Sequence, residues 1–226
     1  AERMRGRWLT DFSDKPAARS AAIIHHHHVE GKNIHDTFAF STDLESVGKW
    51  YRQLMGESLG KEHDRRGNRV LAGITPTVSI GSTDLHSMAQ LFFGGPYDKV
   101  WTIITVEELD SGSGVRIPSE PALDALARDI RGKDLPAIMA AIEQGVMRAL
   151  AHADRPFMHL SLARLDAHEL GGLLQLKMCE IMYLADLMGL NAFDQPSVEA
   201  YKVQTKQALA GQDAGKERII IGADHA

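Results

Sequence analysis

The sequence is poor in features that would mark several large protein classes. Among its 226 residues there is one cysteine, Cys179, so no disulfide can close within the chain and a reducing compartment fits. No apolar run approaches the roughly 20 residues of a membrane-spanning helix. The opening stretch AERMRGRW lacks the apolar segment of a signal peptide. Basic residues (25) are outnumbered by acidic ones (30), giving a net charge of −5, and no basic stripe exists, which argues against nucleic-acid or membrane partners. CxxC and HExxH patterns are absent, and with them the commonest zinc motifs. A cytoplasmic globular protein is expected.

What is present is ordinary in amount: 44% apolar and 24% charged residues, enough for one sizeable core. Met4, Trp8 and Phe12 recur at helical spacing, and Ser13 or Asp14 caps a following alanine-rich helix that holds Pro16 in its first turn and ends at Gly31. Residues 33–40 alternate as a strand. Thr42–Asp43 caps a helix whose stripe runs through Leu44, Val47, Trp50 or Tyr51, and Leu54, ending between Gly56 and Gly60. Residues 63–68 read as a charged loop, and 70–80 as extended chain interrupted by Pro76. A helix from Thr83 buries Leu85, Met88 and Leu91 and stops at Gly94–Gly95–Pro96. VWTIITV, residues 100–106, is apolar enough for a strand covered on both faces. A Ser-Gly loop at 111–114, helices over 121–130 and 135–151, and a strand over 157–163 follow. Residues 169–188 form a long, broadly apolar helix, expected to lie buried with Cys179 as a small hydrophobe. A turn over 191–196 precedes a last helix, opened by Pro196, that reaches about Ala210. Residues 218–222 are a strand or an apolar tail.

Strands separated by helices, with no hairpin dipeptides between them, predict an α/β fold. Its form is a three-layer αβα sandwich around a mostly parallel sheet. Three residues stand out within it. Glu57 lies in the last turn of a helix running out into glycines. A carboxylate is unfavourable at that negative end, which suits a base working near neutrality. A solvated surface glutamate is the plain alternative. His86 falls in the first turn after Gly-Ser-Thr-Asp-Leu, where the helix dipole favours the neutral ring; a satisfied, partly buried histidine is its plain alternative. Lys202 stands two helical turns after Gln195, which places both near one face with Val198. Of His25–His28, only His25 and His28 share a face, with no third ligand nearby, so no metal site is expected.

Three ordered segments carry a resemblance: G-E-S-L-G-K (56–61), G-S-T-D-L-H-S-M-A-Q-L (81–91) and N-A-F-D-Q-P-S-V-E-A-Y-K (191–202). Together they resemble the phosphoglucose isomerase family, in the form of its bacterial branch. The match is to the C-terminal of two sugar isomerase (SIS) domains with a flavodoxin-like fold. The resemblance implies that residues 1–210 form one such domain, followed by a tail over 211–226. It implies interconversion of glucose 6-phosphate and fructose 6-phosphate without metal or cofactor. Glu57 would carry a proton between C2 and C1 through a cis-enediol. His86, reaching in from the partner of a homodimer, would open the sugar ring together with Lys202, and Gln195 would contact the substrate. The family's phosphate-binding loop and an enediolate-stabilising arginine belong upstream of the match, so a C-terminal portion needing its other half is expected. The alternative is a catalytically silent SIS module that binds a sugar phosphate or serves in assembly.

Overall fold

The computed structural model describes residues 15–108, 115–121 and 128–210. The expectations for residues 4–14, 111–114 and 218–222, and for most of the 121–130 helix, lie outside these. Contacts divide the chain into two units, Ala1–Phe193 and Asp194–Ala226.

The first unit is built on a four-stranded parallel sheet of β1 (Ile34–Ala39), β4 (Thr75–Ile80), β5 (Lys99–Glu108) and β6 (Phe157–Arg164), in the order β4-β1-β5-β6. The register pairs Ile34 with Thr75 and Lys99, and Ala39 with Ile80 and Ile104. On one face lie α1 (Pro16–Val29), α2 (Glu45–Leu59) and α5 (Ala167–Leu187); on the other, α3 (Thr83–Gly94) and α4 (Leu135–His152). The strand alternation explains the division. Phe38, Phe40, Trp101 and Ile103 point to the α3/α4 side and pack on Phe92, Val146 and Leu150. Ala39, Ile104 and Val106 point the other way, against Leu44 and Leu173. Below them Tyr51, Met55 and Leu59 of α2 meet Ala21, Ile24, Ile181 and Leu184. This is the three-layer αβα sandwich expected, and its flavodoxin-like order reverses between β1 and β5.

Several local expectations change. Residues 61–72 form an antiparallel hairpin of β2 (Lys61–His63) and β3 (Arg69–Ala72). Its turn is held by the Asp64 carboxylate, which accepts from the Arg66 and Asn68 backbone N–H groups and the Asn68 amide, and by Gly67 at φ 81°. The chain then breaks at residues 73–74 rather than at Pro76, which sits within β4 because that strand is at the sheet edge, where a missing N–H is tolerated. The 42–43 cap shifts by one residue: Ser41 Oγ accepts from Asp43 N and opens a short 3-10 turn, Thr42–Leu44, ahead of α2. On α3 only Phe92 is buried and Leu91 is exposed. Helix α5 is buried on one face only, with Met178 and Met182 exposed and Cys179 half-buried. Its buried face holds a lysine and a glutamate, Lys177 and Glu180.

The described part of the second unit is led by α6 (Val198–Leu209), with Ser197 at its N-cap, so Pro196 stands just before the helix rather than in its first turn.

Candidate active site

Helix α2 leaves the C-terminal edge of the sheet after β1 and runs back to the N-terminal edge. There Gly60 lies against Gly73, where a Cβ would stand 3.7 Å from Gly60 Cα, two residues before β4 begins. Glu57 is therefore held at the N-terminal edge, half-buried, in the final turn of α2. Two neighbours fix it. Gln53, one turn back, donates from Nε2 to Glu57 Oε1 at 3.0 Å, and Lys61 donates from Nζ to the Glu57 carbonyl at 2.9 Å. Lys61 is itself buried, so its ammonium replaces a backbone donor at the helix end and opposes the negative dipole there. The i,i+4 spacing of Gln53 and Glu57 was visible in the sequence. The return of Lys61 across Gly60 was not, because it depends on how the hairpin leaves the helix.

His86 lies elsewhere. Helix α3 starts at Thr83, three residues after β4 ends at Ile80, so His86 stands near the C-terminal edge and is exposed. The six residues of β4 span roughly 17 Å at about 3.3 Å each. Glu57 and His86 are thus separated by about the length of the strand, and they ride on helices that cover opposite faces of the sheet. Within one chain the two side chains do not meet. Asp84, in the same first turn as His86, accepts from Ile80 N at 2.7 Å through Oδ2 and pins the turn to the end of β4. Ser82 stands at the N-cap but makes no side-chain cap bond.

Gln195 and Lys202 belong to the second unit. Gln195 precedes α6, so it does not share a helix face with Lys202 as its spacing suggested; its carbonyl accepts from Val198 N at 3.3 Å. Lys202 is exposed and donates to Glu199 Oε1 at 2.7 Å, an ion pair that raises its pKa.

A cleft of about 910 Å³ opens at the C-terminal edge of the sheet, where ligands of open α/β folds gather. Ser41, Thr42, Ser82 and Thr83 line it together with Glu108 and Arg164. The charges there are of both signs, and Arg164 Nε lies 3.7 Å from Asp166 Oδ2.

The strand order and the helices on both faces define a doubly wound α/β domain. The chain is similar to glucose-6-phosphate isomerases over most of its own length, and it spans about half the length of the curated relatives it matches. It is 34% identical over 209 residues to glucose-6-phosphate isomerase of Carboxydothermus hydrogenoformans, covering 91% of this chain and 44% of that protein. To a glucose-6-phosphate isomerase of Thermus thermophilus it is 36% identical over 204 residues, covering 90% and 47%. The crystal structure of a hypothetical protein from Thermus thermophilus superposes with a TM-score of 0.81 at 33% identity, over 90% of this chain and 47% of that one. A glucose-6-phosphate isomerase from Chlamydia trachomatis shares the fold, with a TM-score of 0.70 at 18% identity over 89% of this chain and 39% of that one. No family model matches the chain. Among the described residues no helix is long and apolar enough to cross a membrane.

Proposed function

We propose that this chain forms the C-terminal half of an aldose–ketose isomerase that interconverts glucose 6-phosphate and fructose 6-phosphate. Residues 1–210 are read as its sugar isomerase domain and 211–226 as a tail. The observation that carries the reading is the position of Glu57: a carboxylate on a rigid helix end, oriented by Gln53 and backed by the buried Lys61. A base that moves a proton between adjacent carbons needs such fixed placement. Glu57 takes the proton from C2 of the open-chain sugar and returns it to C1 through the cis-enediol. His86 and Lys202 act as the acid–base pair that opens the ring, and Gln195 holds the substrate.

The separation of Glu57 from His86 supports a homodimer in which each site takes Glu57 from one subunit and His86 from its partner. The exposure of His86 at one edge of the domain suits that arrangement. The sugar phosphate's anionic group and the enediolate charge are held by the other half of the enzyme, since preorganised positive charge is usually the largest catalytic contribution. A sugar phosphate substrate suits a cytoplasmic reaction.

The test is fructose 6-phosphate turnover by the chain joined to the complementary half of the Thermus thermophilus relative. Activity is expected, with kcat falling by about 10²–10⁴ in Glu57→Gln, the range for losing a general base. A folded but inactive wild-type fusion would favour the silent sugar-phosphate-binding module. Equal activity in the variant would remove Glu57 from the mechanism.

A further inference from the structure

The last turn of α1 contains a second constellation, remote in chemistry from sugar isomerisation. His26 Nε2 stands 3.3 Å from Glu30 Oε1, and His27 Nδ1 stands 3.2 Å from Glu30 Oε2. All three ligand atoms lie within 4.8 Å of one another. The four-histidine run alone offered no third donor. Glu30 supplies it because the residue remains in helical register: its N–H still bonds the His26 carbonyl at 3.2 Å, before Gly31 turns the chain at φ 90°.

Zinc holds imidazole nitrogen and carboxylate oxygen at about 2.0–2.2 Å in a tetrahedron, which sets neighbouring donors about 3.3–3.6 Å apart. The two observed N···O separations, one to each oxygen of Glu30, fall at the lower edge of that range and just below it. The cluster is also open to solvent, with His26 at 66% and Glu30 at 45% side-chain exposure, so an ion can enter and a water can complete its shell. Its place at the carboxyl end of a helix favours a cation.

We propose that His26, His27 and Glu30 form a binding site for a divalent cation of the zinc class, with the fourth position taken by water. The competing group is Lys32, whose Nζ donates to Glu30 Oε2 at 2.8 Å. Binding displaces it from that oxygen, and the Tyr97 ring, 4.9 Å from the same ammonium, offers it a second partner. The bound ion ties the last turn of α1 to the residue that starts the turn into β1, and so stabilises the α1–β1 junction.

The test is calorimetric titration of the chelator-treated protein with ZnCl₂, paired with thermal melts, and it makes no use of isomerase turnover. Wild type is expected to bind one Zn²⁺ per chain and to melt higher with the ion than without it. His26→Asn and Glu30→Gln each weaken binding at least about tenfold, the scale of losing a ligand or its support. His25→Asn, outside the trio, leaves the affinity within about twofold of wild type. The metal-free melts report on folding of each variant, and His26, being exposed, keeps the test sound if Glu30→Gln is destabilised. Absence of saturable binding in wild type overturns the proposal. Equal loss in His25→Asn and His26→Asn also overturns it, by assigning the ion to the histidine run at large.

Discussion

At the scale of single residues, the interior of the sheet holds two titratable neighbours whose protonation preferences oppose each other. His35 is fully buried on β1, with Nε2 2.9 Å from Thr102 Oγ1 and no partner for Nδ1. Burial pushes its pKa down to about 3. Asp36 is next to it, accepting from Thr77 at 2.6 Å and Ser79 at 3.0 Å, and burial raises its carboxyl to about 6. His35, with a depressed folded-state pKa, contributes stability that is full above about 6.5 and is lost as pH falls toward 3. Asp36, with a raised one, contributes stability that is full below about 3.8 and is lost as pH rises through 6. Between about pH 6 and pH 4 the two slopes nearly cancel. His35→Gln should therefore gain stability relative to wild type on acidification across that window, and Asp36→Asn should lose it. Each change is of order ~2 kcal/mol, read from urea midpoints at about pH 6 and pH 4. Parallel pH dependence in all three proteins would contradict the assignment.

A second buried pair makes a different prediction. Lys177 Nζ donates to Glu180 Oε1 at 2.9 Å and lies 4.4 Å from the Tyr51 ring centroid, while the Tyr51 hydroxyl donates to the same carboxylate. Burial raises the Glu180 carboxyl, but the Lys177 charge and the hydroxyls of Ser20 and Tyr51 override it and hold the pKa down. Lys177→Met should cost about 3–5 kcal/mol by stranding the carboxylate. The double variant Lys177→Met/Glu180→Leu should recover much of that loss in denaturant unfolding. A double variant as unstable as the single one would show that packing, and not the unpaired charge, sets the cost. Neither pair was legible in the sequence. Residues 33–40 read only as a strand and 169–188 only as a broadly apolar helix, with nothing in either pattern to mark these groups as buried titratable partners. Helices on both faces of β1 enclose the first pair, and the packing of α5 against α1 and α2 encloses the second.

At the scale of elements, the close approach of α2 to β4 depends on Gly48, where a Cβ would come 2.6 Å from Val78 Cγ1. Valine is stiff about χ1, so Gly48→Ala should displace the helix rather than turn the side chain. The expected cost is about 1–3 kcal/mol, and in the active fusion a drop in kcat should accompany it, because α2 carries Glu57. Unchanged stability and kcat would show that the layer accommodates the methyl. The helices and strands themselves were largely legible. Helices α1, α2 and α4 and strands β5 and β6 fall where periodicity and glycine or proline punctuation put them. The β2–β3 hairpin was missed because a longer loop, held by the Asp64 side chain and by Gly67 at φ 81°, rather than a two-residue turn, joins its strands. Leu91 was misplaced because α3 buries a narrower face than its apolar spacing suggests.

At the scale of the whole molecule, the resemblance implies a site that joins Glu57 of one subunit to His86 of its partner, and the fold keeps the two residues apart within one chain. The two residues occupy opposite edges and opposite faces of the sheet, a relation that spacing along the chain does not encode. The symmetric dimer proposed above, with sites shared between subunits, would reconcile the motifs with the fold. Mixing Glu57→Gln with His86→Ala in the active fusion, after dissociation and reassociation, tests this directly. In a hybrid dimer one site receives both substitutions and the other receives neither. Random pairing makes about half the dimers hybrids, so fructose 6-phosphate turnover should recover to about one quarter of wild type. Activity no higher than that of either variant alone would contradict the account and place both residues in a site formed by one chain.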